Sequence, residues 1–290
     1  MTVALAAIAS GLLIMARAGA AEIVVRYPPP EANSDTRNFY QVELLALALR
    51  LGAAPGDQYR MEPANLPSMQ QIRVVEELKR GELVDVMWTV TSIERENDLL
   101  PIRIPLAGGT AGWRIALVRA ADVDRFADIK TLRELRKVQM AQGHDWPDLK
   151  ILRSNGIPVQ ASTQYQSLFR MLASGRFDYF PRSLDEIWGE QREHADMKLV
   201  VEPHIALHYA SASYYFVNRR NTALAEAIRR GLEKTLADGS YDRLIEKYFG
   251  DMLRRARLSE RTVIEMENPV LPPQTPLKRT ELWYDPKRVR

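Results

Sequence analysis

Lys137 to Gly156 reads KVQMAQGHDWPDLKILRSNG. A short strand over Lys137 to Ala141 runs into a Gly-containing turn. A helix from Asp145 to Asn155 follows, closed by Gly156. The same alternation extends in both directions. Upstream, Thr131 to Arg136 predicts a helix, and Trp113 to Arg119 a strand. Downstream come a helix over Tyr165 to Ser174 ended by Gly175, a strand over Phe177 to Phe180, and a helix from Leu184 to about Glu193. Strands over Lys198 to Val201 and Ala212 to Val217 complete the block. Strands alternating with helices of this length indicate parallel βαβ units and an α/β class.

The flanks continue the theme. Ile23 to Tyr27 predicts a strand stopped by Pro28-Pro29-Pro30. Ser34 or Asp35 would cap a helix to Leu51, carrying Phe39, Val42, Leu45 and Leu49 at spacings of three and four and ended by Gly52 and Pro55. Met69, Ile72, Val75 and Leu78 form a second helical stripe stopped near Gly81, before a buried strand over Val84 to Trp88. Helices over Thr222 to Ala237 and Tyr241 to Tyr248 close the globular part. Beyond Gly250 the chain turns Arg- and Pro-rich, and this C-terminal extension reads as an extended wrap or a partly disordered tail that adds little to either core.

The 290 residues are enough for about two domains. Lys and Arg number 40 against 37 Asp and Glu, so no electrostatic footprint for nucleic acid exists. The absence of cysteine excludes disulfides, thiolate metal sites, cysteine nucleophiles and lipoprotein anchoring. Val3 to Met15 is an apolar run of 13 residues, too short for the roughly 20 that span a bilayer. Ala18-Gly19-Ala20-Ala21 follows with an A-x-A pattern, so residues 1–21 are expected to be a signal peptide, although Met1-Thr2 lacks a basic n-region. The product is then expected to be soluble and periplasmic.

Three stretches carry a resemblance. Leu236 to Gly250, LADGSYDRLIEKYFG, resembles the closing helix pair of the extracellular solute-binding proteins of family 3, which includes the amino-acid receptors of ABC importers. Gly81 to Arg95, GELVDVMWTVTSIER, is similar to that family's Gly-Asp-strand-hydroxyl-Glu-Arg stretch, and Gly175 to Phe180, GRFDYF, to its Gly-x-x-Asp strand opening. The resemblance implies a type II periplasmic-binding-protein fold of two α/β lobes joined by two hinge strands and closing over a small ligand. Lobe 1 would be 22–116 with 218–250, lobe 2 would be 117–217 including the hinge strands, and 251–290 an extension. It further implies a monomer with no catalysis and no cofactor, serving ABC-importer membrane subunits or a membrane sensor.

On this resemblance Arg95 would fork a ligand carboxylate, with Thr89 and Thr91 donating hydroxyls, because a guanidinium presents paired donors. Gly143 falls in the loop whose backbone meets the ligand anion. His144, Asp145 and Trp146 depart from the family there: Asp145 is expected to cap the helix and compete with an anion, while Trp146 would pave the cleft. The family's amine-binding Asp is replaced by Ser183, beside Arg182. Two arginines on opposite lobes would favour a ligand with two acidic groups over a zwitterionic amino acid. The alternatives are an exported enzyme using the His144-Asp145 loop, or a relative that has lost ligand binding. His204 and His208 have i, i+4 spacing, yet Pro203 makes poor helix and no third metal ligand is visible.

Overall fold

The computed structural model describes residues 22–29, 38–66 and 71–288; the segment expected to be a signal peptide, the candidate caps Ser34 and Asp35, and Met69 lie outside the described residues. The chain begins with β1 (Glu22–Tyr27), α1 (Phe39–Gly52), β2 (Gln58–Pro63), α2 (Gln71–Arg80), β3 (Val86–Val90), α3 (Ile93–Asp98) and β4 (Leu100–Ile102). Strand β5 (Trp113–Arg119), α4 (Leu132–Leu135), β6 (Met140–Gly143), α5 (Pro147–Ser154), β7 (Val159–Ser162), α6 (Tyr165–Ala173), β8 (Phe180–Ser183) and α7 (Ile187–Glu193) follow. The remainder is β9 (Leu199–Val201), β10 (Ile205–His208), β11 (Ser213–Val217), α8 (Thr222–Ala237), α9 (Ser240–Ala256) and β12 (Thr262–Glu265).

Two sheet systems result. In the first, β1 pairs parallel with β2, and β11 lies antiparallel between β3 and β4. Asp85 joins the two halves: its N–H donates to the Arg26 carbonyl, and its carboxylate takes both the Arg26 N–H and the guanidinium. In the second, β5 is flanked by β8 on one side and by β9 and β10 on the other, with β12 beyond β10. Strands β6 and β7 pair in parallel and reach β8 through a bridge between Met140 and Tyr179. Leu44, Leu45, Val86, Tyr215, Ile228 and Ile245 pack the core of the first system; Ile115, Leu117, Phe169, Phe177 and Phe180 pack that of the second. The result is a two-lobed α/β fold.

The α1–α8 crossing is close because two glycines permit it. A Cβ on Gly52 would stand 1.8 Å from the Ala227 carbonyl oxygen, and one on Gly231 would stand 1.8 Å from that of Ala48. The helix layer under the first sheet is therefore built backbone to backbone.

Strand β5 pairs wholly within the second sheet and β11 wholly within the first, so the segments just before Trp113 and between Tyr209 and Ser213 are crossings between the two sheet systems. The first crossing takes Ala107, Gly108 and Gly109 through left-handed φ values of 51°, 61° and 69°. Two tyrosine hydroxyls hold it: Tyr40 accepts from the Ala107 N–H and Tyr241 from the Gly108 N–H, each at 3.0 Å.

The C-terminal segment overturns the reading of a tail with little part in either core. Helix α9 runs past Gly250 to Ala256 and links both cores, with Tyr241, Leu244 and Ile245 in the first and Ala256 in the second. Strand β12 then extends the second sheet in parallel with β10, burying Ile264 and Met266. The chain returns to the first core at Leu282 and binds the crossing: Tyr284 N–H donates to the Gly108 carbonyl at 2.7 Å, and a Cβ on Gly109 would stand 2.5 Å from the Trp283 ring. The Pro-rich segment is thus a strap that buries Ile264, Met266 and Leu282.

Candidate functional site

Strand β3 alternates Thr89 buried, Val90 exposed and Thr91 buried, as a strand with one solvated face must. Ser92 caps α3 by accepting from the Arg95 N–H at 3.2 Å. That cap turns Arg95 back over the strand end, where its Nη1 donates to the Val90 carbonyl at 2.7 Å. Burial lowers the Arg95 pKa, and the charge of Glu94 offsets this only in part. Thr91 donates its hydroxyl to Glu96, which also takes the Arg103 guanidinium at 2.6 Å. Thr91 is thus occupied within its own lobe.

Gly143 ends β6, and α5 starts at Pro147, two residues later than expected. Trp146 occupies the cap position without a side-chain bond. Proline at the first helical position brings a preset φ and no N–H, so Asp145 is not needed as a cap. Asp145 and His144 are exposed, with His144 Nδ1 3.5 Å from the Asp145 carboxylate. The expectation that Asp145 competes for helix N–H groups is therefore corrected. Trp146 lies against Gly143, where a Cβ would meet its ring at 2.5 Å. Its ring also stands 4.4 Å from the Arg182 guanidinium carbon.

Arg182 is the main correction. Strand β8 spans Phe180–Ser183, three residues later than the sequence suggested, because the Asp178 and Tyr179 N–H groups are both spent on the Gln139 carbonyl. Arg182 therefore lies two residues after Phe180 on the same face of the strand, turned into the helix layer. There it meets Glu190 of α7 at 2.5 Å and Glu186 at 2.9 Å. Burial depresses its pKa, but these carboxylates more than offset that and raise it overall. Ser183 donates to Glu186 at 2.5 Å. One arginine against two glutamates leaves this strand end with a net charge of 1 − 2 = −1. A cationic second wall is not what this lobe presents.

Three further residues stand at the same edge, of which Tyr165 and Asp148 escaped the sequence reading. Glu186, about half exposed, puts a carboxylate beside Ser183, and its i, i+4 step from Arg182 makes that pair legible in the sequence. Tyr165 donates its hydroxyl to Glu190 at 2.7 Å, which fixes its ring next to Trp146. Asp148, on the first turn of α5, takes Arg114 at 2.7 Å and the Tyr209 hydroxyl. Burial alone would raise the Asp148 pKa, but Arg114 and the Tyr209 hydroxyl bring it below the ordinary value. No sequence spacing connects Arg114, Asp148 and Tyr209.

Thr89, Thr91 and Arg95 thus belong to the first sheet system, and Gly143, Trp146, Arg182 and Ser183 to the second. His208 pairs with Glu265 across the β10–β12 ladder at 2.7 Å. Among the described residues no group of three or more His, Asp or Glu is arranged to hold a metal, and no helix is long and apolar enough to cross a membrane. Two surface grooves, one lined by Ser162, Gln164, Arg170 and Arg176 and one by Arg80, Asp85, Asn218 and Arg220, include none of the nine residues expected to bind ligand.

No protein-family model matches the sequence, and no curated protein matches it. Solved structures do. The chain is similar to ytmK from Bacillus subtilis, described as a probable amino-acid ABC transporter extracellular-binding protein. The identity is 17%, with 80% of this chain and 99% of that one covered and a TM-score of 0.55. It is also similar to YckB from Bacillus subtilis at 19% identity, with 84% and 96% covered and a TM-score of 0.52. With the two sheet systems, these neighbours show the fold: the chain shares the two-lobed α/β architecture of these two structures.

Proposed function

We propose that this chain is an exported binding protein that captures a small carboxylate-bearing solute between its lobes and delivers it to an ABC importer or a periplasmic sensor. Lobe 1 then comprises residues 22–112 and 213–250, lobe 2 residues 113–212, and the remainder forms the strap over both. The observation that carries this reading is Arg95. It is a half-buried guanidinium held by its own helix cap at the carboxyl end of β3, the place where ligands of open α/β sheets bind. A guanidinium presents paired donors that match the two oxygens of a ligand carboxylate.

The second acidic group expected on the ligand loses its support, since Arg182 is matched by Glu190 and Glu186. An ammonium near Ser183 would find the Glu186 carboxylate, so a zwitterionic amino acid fits this edge. Binding without turnover is the reading favoured, because His144 and Asp145 are both exposed and ytmK is described as a binding protein. The description of ytmK favours an importer role over a sensor role.

Thermal-shift and calorimetric titration of the purified chain with the twenty amino acids and a set of keto and dicarboxylic acids tests the proposal. The expected result is saturable binding of a carboxylate, weakened about 30-fold or more in Arg95→Ala, as for the loss of a charge-assisted pair of ~2–5 kcal/mol. Product formation from any probe, or binding indifferent to Arg95, would overturn it.

A further inference from the structure

Large apolar side chains exposed to solvent are few among the described residues, and they are unevenly placed. Four of the seven lie where strands give way to the helices that follow them: Phe39 (52% exposed), Ile93 (47%) and Tyr165 (37%) open α1, α3 and α6, and Val90 (39%) ends β3. Ile23 and Leu83 lie at the other end of the first sheet, and Leu277 lies in the strap. Scattered exposed hydrophobes need no explanation, but four at the starts of helices and the end of a strand, with Val90 bonded to the half-buried Arg95, do.

The cluster is held in place. Val90 is the last residue of β3, and its carbonyl carries the Arg95 guanidinium, so Val90 and Ile93 border the anion anchor directly. Phe39 opens α1 next to Asn38, whose side-chain oxygen accepts the Trp88 indole N–H at 3.1 Å; α1 is thereby tied to β3 two residues before Val90. On the other lobe, Tyr165 has its hydroxyl fixed by Glu190 and its ring 5.8 Å from the Arg182 guanidinium. Its phenol is spent inside the lobe, which leaves the ring as the exposed part. Thr89 and Thr91, on either side of Val90, are buried. A wall meant for a wholly polar solute would present those instead.

We infer that the ligand carries, beside its carboxylate, an aromatic ring or a comparably bulky apolar group seated among Phe39, Val90, Ile93 and Tyr165. This rests on the solute-binding reading and narrows it from any small carboxylate to an amphipathic one. A preformed apolar wall next to one fixed cation binds such a molecule by burying the ring while the carboxylate sets its direction.

Calorimetry on the full chain separates the two claims. The aromatic probes are L-phenylalanine, L-tryptophan, phenylpyruvate and indole-3-acetate; the polar ones are L-aspartate, L-glutamate, L-arginine and succinate. The expected result is at least tenfold tighter binding of the best aromatic probe than of every polar one. Phe39→Ser and Ile93→Ser, both at exposed positions, should each weaken that probe fivefold or more with unchanged melting of the unliganded protein. A polar probe binding tightest overturns this inference and leaves the solute-binding reading standing. Full affinity in both variants also overturns it. Failure of all eight probes overturns the inference and the reading beneath it together.

Discussion

Arg182 and Glu190 form an ion pair at 2.5 Å with both side chains 7% exposed, so the charge that sequence spacing offers to a ligand is spent inside lobe 2. The pair couples β8 to α7, and Tyr165 of α6 joins it through the same carboxylate. Three elements of the second sheet system and its helix layer, β8, α7 and α6, are thus fixed by one buried group.

The first prediction concerns that pair. Glu190→Ala strands a guanidinium in low dielectric and should cost ~3–5 kcal/mol. The double change Arg182→Met with Glu190→Leu removes both charges and should return to within about 2 kcal/mol of the parent, since an apolar pair of similar volume avoids desolvation. Urea midpoints at constant slope check both. A loss below about 1 kcal/mol in Glu190→Ala would show that Glu186 alone carries Arg182.

What was legible in the sequence divides along the physics. Helices with a strong stripe and a clear stop came through: α8 spans Thr222–Ala237 as read, and α6 ends one residue from its prediction. Short strands slid by two or three residues, as in β6 and β8, because registers there are set by pairing partners far away in the chain. That slip decided the site: three residues of shift turned Arg182 from a cleft loop into the core. Strands β10 and β12 escaped because each needs the other, and β12 sits in a Pro- and Arg-rich context that reads as tail. Arg95 lay in a stretch similar to the family's, with the spacing to the threonines off by one residue, and its cap by Ser92 is local.

A second prediction uses two glycines with opposite surroundings. Gly231→Ala pushes a methyl to 1.8 Å from the Ala48 carbonyl oxygen, so α1 and α8 must separate, costing about 1–3 kcal/mol or more. Gly189, within α7, has open space where its Cβ would be. Gly189→Ala should stabilise by roughly 0.4–1 kcal/mol through the unfolded chain. Thermal melting of the two variants side by side checks the pair. Equal shifts of the same sign would contradict the close crossing.

Acid stability gives a third. The Asp148 pKa is lowered in the fold: burial opposes this, but Arg114 and the Tyr209 hydroxyl prevail. A depressed carboxylate contributes stability that is complete above its unfolded value of about 3.9 and is lost as pH falls through the folded value. Asp148→Asn should therefore cost about 3–5 kcal/mol near pH 7, where Arg114 loses its buried partner. Its urea midpoint should also fall less steeply than the parent's below about pH 4. Parallel acid limbs for the two proteins would remove Asp148 from that account.

The last prediction concerns the strap. Leu282 is fully buried in the lobe 1 core although it lies 8 residues from the end of the chain, whereas Leu277, five residues before it, is about half exposed. Leu282→Ala should cost about 2–5 kcal/mol, as deletion of a buried leucine does. For a chain of this size that is a melting shift of roughly 5–15 °C. Leu277→Ala, at an exposed position, should stay within about 0.5 kcal/mol. A chain ended after Asp251 loses the last turn of α9, β12, and the buried Leu258, Ile264, Met266 and Leu282. At about 1.5–3 kcal/mol for each buried side chain, that removal rivals the whole 5–15 kcal/mol by which a typical domain is stable. The shortened chain is expected to be insoluble or to lose its cooperative melt. A shortened chain that melts cooperatively within a few degrees of the parent would mean that Leu282, Trp283 and Tyr284 rest on the crossing without holding it.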